Sequence, residues 1–97
     1  MDTKKYEVFE KTVERSSLTK AAEELGLTQS GVSHILASLE EEFGFPLLTR
    51  SRTGARLTPE GEKIMPFIRS ILRSQEQLDQ TAAELRGLSA GTVRIAT

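Results

Sequence analysis

A mainly α fold is predicted, with three short helices, a small β-wing and then one long helix, and three observations predict it. Residues Leu18 to Leu39 carry Ala21-Ala22, Gly26, Val32 and Ile35 at offsets that let two short helices cross tightly around a turn. The run from Phe45 to Leu57 sets Pro46, Gly54 and a Leu47-Leu48 pair among arginines around a Ser/Thr/Gly tip, which reads as a hairpin. From Ile64 to Leu85 apolar residues recur in alternating steps of four and three, a heptad seam. Together these give a winged helix-turn-helix followed by a long dimerisation helix.

Each element has its own local reason. Tyr6, Phe9 and Val13 recur at helical spacing among Lys5, Glu7, Lys11 and Glu14, so residues from about Thr3 to Arg15 form an amphipathic support helix. Ser17 caps the second helix, which turns Ala21, Ala22 and Leu25 inward, leaves Lys20, Glu23 and Glu24 to water and ends at Gly26 with a positive φ. A larger residue at Ala22 or a β-branched one at Gly26 breaks the crossing. Leu27 is a buried turn residue, and Thr28 caps a third helix whose core stripe is Val32, Ile35, Leu36, Leu39 and Phe43.

Gly44 closes that helix, and after the wing Thr58-Pro59-Glu60 supplies a cap, a proline at the first helical position and a carboxylate in the first turn. A helix from Pro59 to Arg86 is about 42 Å long, too long to bury its stripe on a domain of this size. Its seam, Ile64, Phe67, Ile68, Ile71, Leu78, Ala82 and Leu85, is expected to pair with a second copy, although part of it packs on its own chain. Pro66 is expected to kink the helix or confine its regular part to later residues. Gly87-Leu88-Ser89-Ala90-Gly91 is expected to break it, and Thr92 to Ala96 alternates like the start of a strand. The domain reading is residues 1–58 as the winged helix-turn-helix, 59–88 as the linker helix, and 89–97 as the start of a further domain.

Composition narrows the function classes. The 97 residues, 37% hydrophobic, make one small domain that gains from burial between subunits. Without cysteine there is neither a disulfide framework nor a thiolate nucleophile or ligand. No basic segment followed by an apolar run opens the chain and no stretch suits a membrane span, so the expectation is a cytoplasmic protein with no membrane partner. A net charge of −1 is unusual for a nucleic-acid binder, but the charge is divided. Residues 1–49 hold five Lys/Arg against nine Asp/Glu, residues 50–97 eight against five. Arg50, Arg52 and Arg56 sit in a segment with no carboxylate between Phe43 and Glu60, a local basic edge.

The third helix carries the functional signal. Opposite its core stripe stand Gln29, Ser30, Ser33, His34, Ala37 and Ser38, with no carboxylate before Glu40. An ordinary solvated helix shows Glu and Lys pairs there. Glu40-Glu41-Glu42 oppose the helix dipole and keep phosphate from the C-terminal end, so the N-terminal end is the one that meets DNA. His34 has no acid orienter, oxyanion loop or second histidine beside it, which argues against catalysis and against a metal site. Arg50 is open to a structural ion pair as well as to phosphate contact.

Ala21-Ala22-x-x-Leu25, Thr28-Gln29-Ser30-Gly31-Val32-Ser33, Leu39-Glu40, Gly44, Arg50 and Leu57-Thr58-x-x-Gly61, in this order and spacing, resemble the N-terminal part of LysR-type transcriptional regulators. The resemblance covers the whole chain. It implies a sequence-specific regulator that binds double-stranded DNA as a homodimer, with a tetramer open to the full-length protein. It further implies that a C-terminal domain takes a small-molecule effector, with no cofactor or metal in the present residues. By the same resemblance the base-reading face maps onto Thr28, Gln29, Ser30, Gly31, Ser33 and His34, and the wing and phosphate contacts onto Arg50, Arg52 and Arg56. Gln suits adenine, Ser and Thr suit phosphates or either base type, and a wing arginine suits a narrow minor groove. Gly31 stands where the family usually has Ala, at a cost of about 1 kcal/mol in helix propensity. The competing reading is a winged helix that assembles with protein through its carboxylate-rich front half; an enzyme is disfavoured by the lack of any nucleophile and base pair or phosphate loop.

Overall fold

The computed structural model describes residues 3–51 and 54–90. Helices α1 (Thr3–Arg15), α2 (Leu18–Leu25) and α3 (Gln29–Phe43) precede strands β1 (Leu48–Ser51) and β2 (Gly54–Leu57), and α4 (Pro59–Ala90) follows. The strands pair antiparallel, with Leu48 opposite Leu57, Thr49 opposite Arg56, Arg50 opposite Ala55 and Ser51 opposite Gly54. This is the predicted winged helix-turn-helix with its long helix. The wing tip at Arg52 and Thr53 and the strand expected from Thr92 lie outside the described residues.

One core joins all the elements. Phe9 of α1, Ala22 of α2, Val32, Leu36 and Leu39 of α3, Leu48 and Ala55 of the wing, and Met65, Ile68 and Leu72 of α4 close on one another. The α3 stripe is as the periodicity predicts, with Ile35 and Phe43 half-buried at its margin. In α1, Val8 and Thr12 are buried beside Phe9, two positions absent from the predicted stripe. Thr12 tolerates burial because its hydroxyl donates to the Val8 carbonyl at 2.8 Å, one turn back.

The helix ends follow the sequence closely. Ser17 Oγ accepts from the Lys20 amide at 3.2 Å, and Thr28 Oγ1 and Thr58 Oγ1 accept from the amides of Gly31 and Gly61, both at 2.9 Å. Caps of this kind are worth about 1 kcal/mol apiece. Gly26 and Gly44 take φ of 69° and 86° and turn their amides back onto the preceding turn. Gly87 behaves differently: α4 runs through it to Ala90, which corrects the expected break. A glycine stops a helix when it turns left-handed, and Gly87 is not among the described glycines with positive φ. The helix also runs through Pro66 unbroken, so its regular part is not confined to later residues.

Two glycines fix the wing to the helices. Ser16, at φ 52°, offers its carbonyl to the Ala55 amide at 3.0 Å, and a Cβ at Gly54 would lie 2.2 Å from that oxygen. A Cβ at Gly61 would lie 2.3 Å from the Leu47 carbonyl oxygen. Among the described residues no helix is long and apolar enough to cross a membrane.

Candidate nucleic-acid interface

The α3 face predicted to be functional is set by the burial of the other side. With Val32, Leu36 and Leu39 turned into the core, helical geometry leaves Gln29, Ser30 and His34 exposed and Ser33 half-buried at the edge of a groove. Thr28 is exposed as the cap of α3, and Gly31 sits half-buried directly beneath it. A Cβ on Gly31 would meet Thr28 Oγ1 at 3.0 Å, so the missing side chain leaves room for the cap. Helix propensity alone, which counts this glycine as a loss, misses that gain.

The groove, about 540 Å³, runs between the start of α2, the start of α3 and β1. Gln29, Ser33 and Arg50 line it together, as do Arg15, Thr19 and Lys20. Arg50 Nη1 donates to Ser33 Oγ at 2.9 Å, and the Thr19 hydroxyl donates to Gln29 Oε1 at 3.2 Å. Among the described residues Arg50 has no carboxylate partner, so its charge faces the groove unneutralised. The N-termini of α2 and α3 both bring positive dipole ends to this region. Such an arrangement suits a polyanion.

Not every predicted residue arrives there. Cross-strand pairing puts Arg50 on one face of the wing with Ala55, and Arg56 on the other with Thr49. Arg56 is exposed and does not line the groove, and Arg52 lies outside the described residues. Conversely, the sequence reading left Lys20 to water and passed over Thr19 and Arg15. The available signal was the pair of caps, Ser17 and Thr28, eleven residues apart: two helices that start so close together, joined by a tight turn, bring both N-termini to one side.

The acidic residues are spent on the fold. Glu40 Oε2 accepts from the Leu47 and Leu48 amides at 2.7 and 3.1 Å and so ties the end of α3 to the wing, a role more specific than the predicted exclusion of phosphate. Glu42 pairs with Lys5. Glu10 accepts from Arg73 at 2.9 Å, and Glu24 accepts from Arg15 Nη2 at 2.9 Å. The hydrogen bond from Arg15 holds the Glu24 carboxyl below its ordinary range despite some desolvation, and the same contact raises the guanidinium. No cluster of His, Asp or Glu that could hold a metal ion occurs among the described residues.

The long helix carries two stripes. Met65, Ile68 and Leu72 are buried against α1 and the wing, whereas Phe67, Leu78 and Leu85 are 70%, 66% and 59% exposed. Ile68 was expected in the intersubunit seam and belongs instead to the core, because positions three and four apart face α1 at this height. Ile64, Ile71 and Ala82 are half-buried along the margin between the stripes.

Comparisons with known proteins agree with this geometry. The family model described as "Bacterial regulatory helix-turn-helix protein, lysR family" matches residues 3–62. An uncharacterized HTH-type transcriptional regulator of Bacillus subtilis, YvbU, is 41% identical over 91 residues, 93% of this chain and 31% of its own length. The present chain thus spans about a third of that relative. Among solved structures, the oxidized form of Corynebacterium glutamicum OxyR superposes with a TM-score of 0.83 at 30% identity, over 90% of this chain and 27% of that one. A complex of the BenM DNA-binding domain with benA site 1 DNA gives a TM-score of 0.82 at 30% identity, over 91% of this chain and 99% of that one.

Proposed function

The chain belongs to the lysR family of bacterial regulatory helix-turn-helix proteins, and we propose that it is the part of a transcriptional regulator that reads double-stranded DNA, as a homodimer. The observation that carries this reading is the groove of α2, α3 and β1, where two helix N-termini, Arg50 and a face free of carboxylates converge. Helix α3 enters the major groove with Gln29, Ser30, Ser33 and His34 toward base edges, while Thr28, Arg50 and the amides of α2 meet phosphate. Arg56, on the second strand of the wing, meets the minor groove or its phosphates, and Arg52 shares that role. The BenM DNA-binding domain, which shares this shape, was solved in complex with DNA, which supports duplex DNA as the partner.

The exposed stripe of Phe67, Leu78 and Leu85, with the half-buried Ile64, Ile71 and Ala82 along its margin, pairs two copies and sets the distance between their recognition helices. Residues 1–58 read DNA, the helix to about residue 88 dimerises, and what lies beyond it in the whole regulator takes a small-molecule effector. The chain works in the cytoplasm and catalyses nothing. Assembly through the acidic front half is the weaker reading, since Glu10, Glu24, Glu40 and Glu42 are already engaged within the chain.

Selection of random and genomic duplexes at near-physiological salt tests this, with Gln29→Ala as the paired variant. Enrichment of a two-fold-symmetric motif that Gln29→Ala blurs is the expected result. Retention that is salt-sensitive but without any motif sinks the base-reading role of α3.

A further inference from the structure

Two side chains on the proposed reading face are held from outside their own helix. Gln29 takes the Thr19 hydroxyl on Oε1, and Ser33, one turn further along α3, takes Arg50 Nη1 on Oγ. The glutamine is the more sensitive of the two. Its amide ends in an acceptor and a double donor that exchange places when the last bond turns by 180°. Adenine offers an acceptor and a donor to the major groove, guanine two acceptors, so the sense of that amide decides which base edge it matches.

A glutamine on the first residue of an exposed helix end samples both senses. Here the hydroxyl of Thr19, on the first turn of α2 and in the same groove, bonds that amide and holds it on the α2 side, whichever of its ends faces the hydroxyl. We propose that Thr19 is a specificity-determining positioning residue, which fixes where the Gln29 amide sits at the reading edge of α3 and thereby sharpens the base preference of Gln29. The inference rests on the reading of α3 as the base-contacting helix. Thr19 does its work without touching a base: one hydrogen bond made before binding holds the glutamine in its reading position and removes part of the cost of ordering it there.

The decisive experiment measures the affinity of the wild-type chain, Thr19→Val, Thr19→Ser, Gln29→Ala and the Thr19→Val/Gln29→Ala double variant for four duplexes. These carry each base in turn at the position that Gln29→Ala blurs. Thr19→Val is expected to narrow the preference at that position by roughly three- to tenfold, the worth of one net hydrogen bond, and to spare the other positions. Thr19→Ser restores the preference, and Thr19→Val changes nothing further in it once Gln29 is alanine. Equal weakening on all four duplexes with a shallower salt dependence makes Thr19 a phosphate contact and overturns the inference alone. A preference that falls additively in the double variant also overturns it. If the wild-type chain shows no base preference anywhere, the DNA-reading role fails and the inference falls with it.

Discussion

The two halves of α4 have the same apolar period and opposite fates. In the first half Met65, Ile68 and Leu72 are at most 4% exposed, closed over by α1 and the wing. In the second half Leu78 and Leu85 are 66% and 59% exposed, with no described helix across from them. The two stripes lie roughly a third of a turn apart around the helix, since successive residues advance by about 100°. Periodicity therefore says that a face is apolar and leaves open what covers it. The head of the helix is a fourth wall of the domain, and its tail is a surface in want of a partner.

If the head is a wall of the domain, weakening it harms the fold. Ile68→Ala is expected to cost about 2–5 kcal/mol of unfolding free energy, the range for a fully buried aliphatic side chain whose cavity does not collapse. Urea denaturation followed by circular dichroism reads this loss. A change under 1 kcal/mol would return Ile68 to the intersubunit seam. In the tail the same kind of change acts on association instead. Leu78→Glu with Leu85→Glu is expected to raise the dimer dissociation constant by at least about tenfold, because burying each leucine is worth about 1.5–3 kcal/mol. Analytical ultracentrifugation at a series of concentrations would show monomers with unchanged helix content.

The limits of the sequence reading fall along the same line between local and distant causes. Caps, turn glycines and the α3 stripe were legible because each is decided within one or two turns: Ser17, Thr28 and Thr58 each face their own amides. The face of α3 was legible for the same reason, as the negative of its core stripe. What escaped was every link that spans elements. Glu40 looked like surface charge until the wing amides were folded over it. Thr19 drew no notice until α3 brought Gln29 beside it. Ile68 fits both stripes of α4 equally well by spacing, and only the height at which α1 crosses assigns it to the core. Gly87 misled in the opposite direction, as a local signal for a stop that the helix does not make.

At the far end of the tail, Gly87 lies two residues beyond Leu85 within the helix. As a helical glycine it weakens the segment that presents Leu85, and Gly87→Ala is expected to stabilise α4 by roughly 0.5–1 kcal/mol. Thermal unfolding of the Leu78→Glu/Leu85→Glu background with and without the change isolates this gain from dimerisation. A loss of stability there would show that Gly87 takes a conformation that alanine cannot share.

The smallest expected effect lies where the head gives way to the tail. Arg73, one residue past the last buried leucine, donates to Glu10 of α1 through Nη1 at 3.3 Å and Nη2 at 2.9 Å, and Arg69 approaches the same carboxylate at 3.8 Å. The Glu10 side chain is only 13% exposed, whereas Arg73 is 53% exposed. The hydrogen bond to Glu10, and then its negative charge, hold the Arg73 guanidinium above its usual range. Solvent screens such a contact, so it orients the tail more than it stabilises the fold. Arg73→Gln should lower the melting temperature less than the other changes raise or lower it, and the difference should fade as salt is raised from 0.05 to about 1 M, where screening acts within roughly 3 Å. A loss that persists at high salt would point instead to the stem of Arg73 packed over Leu72, and would extend the head of the helix by a turn.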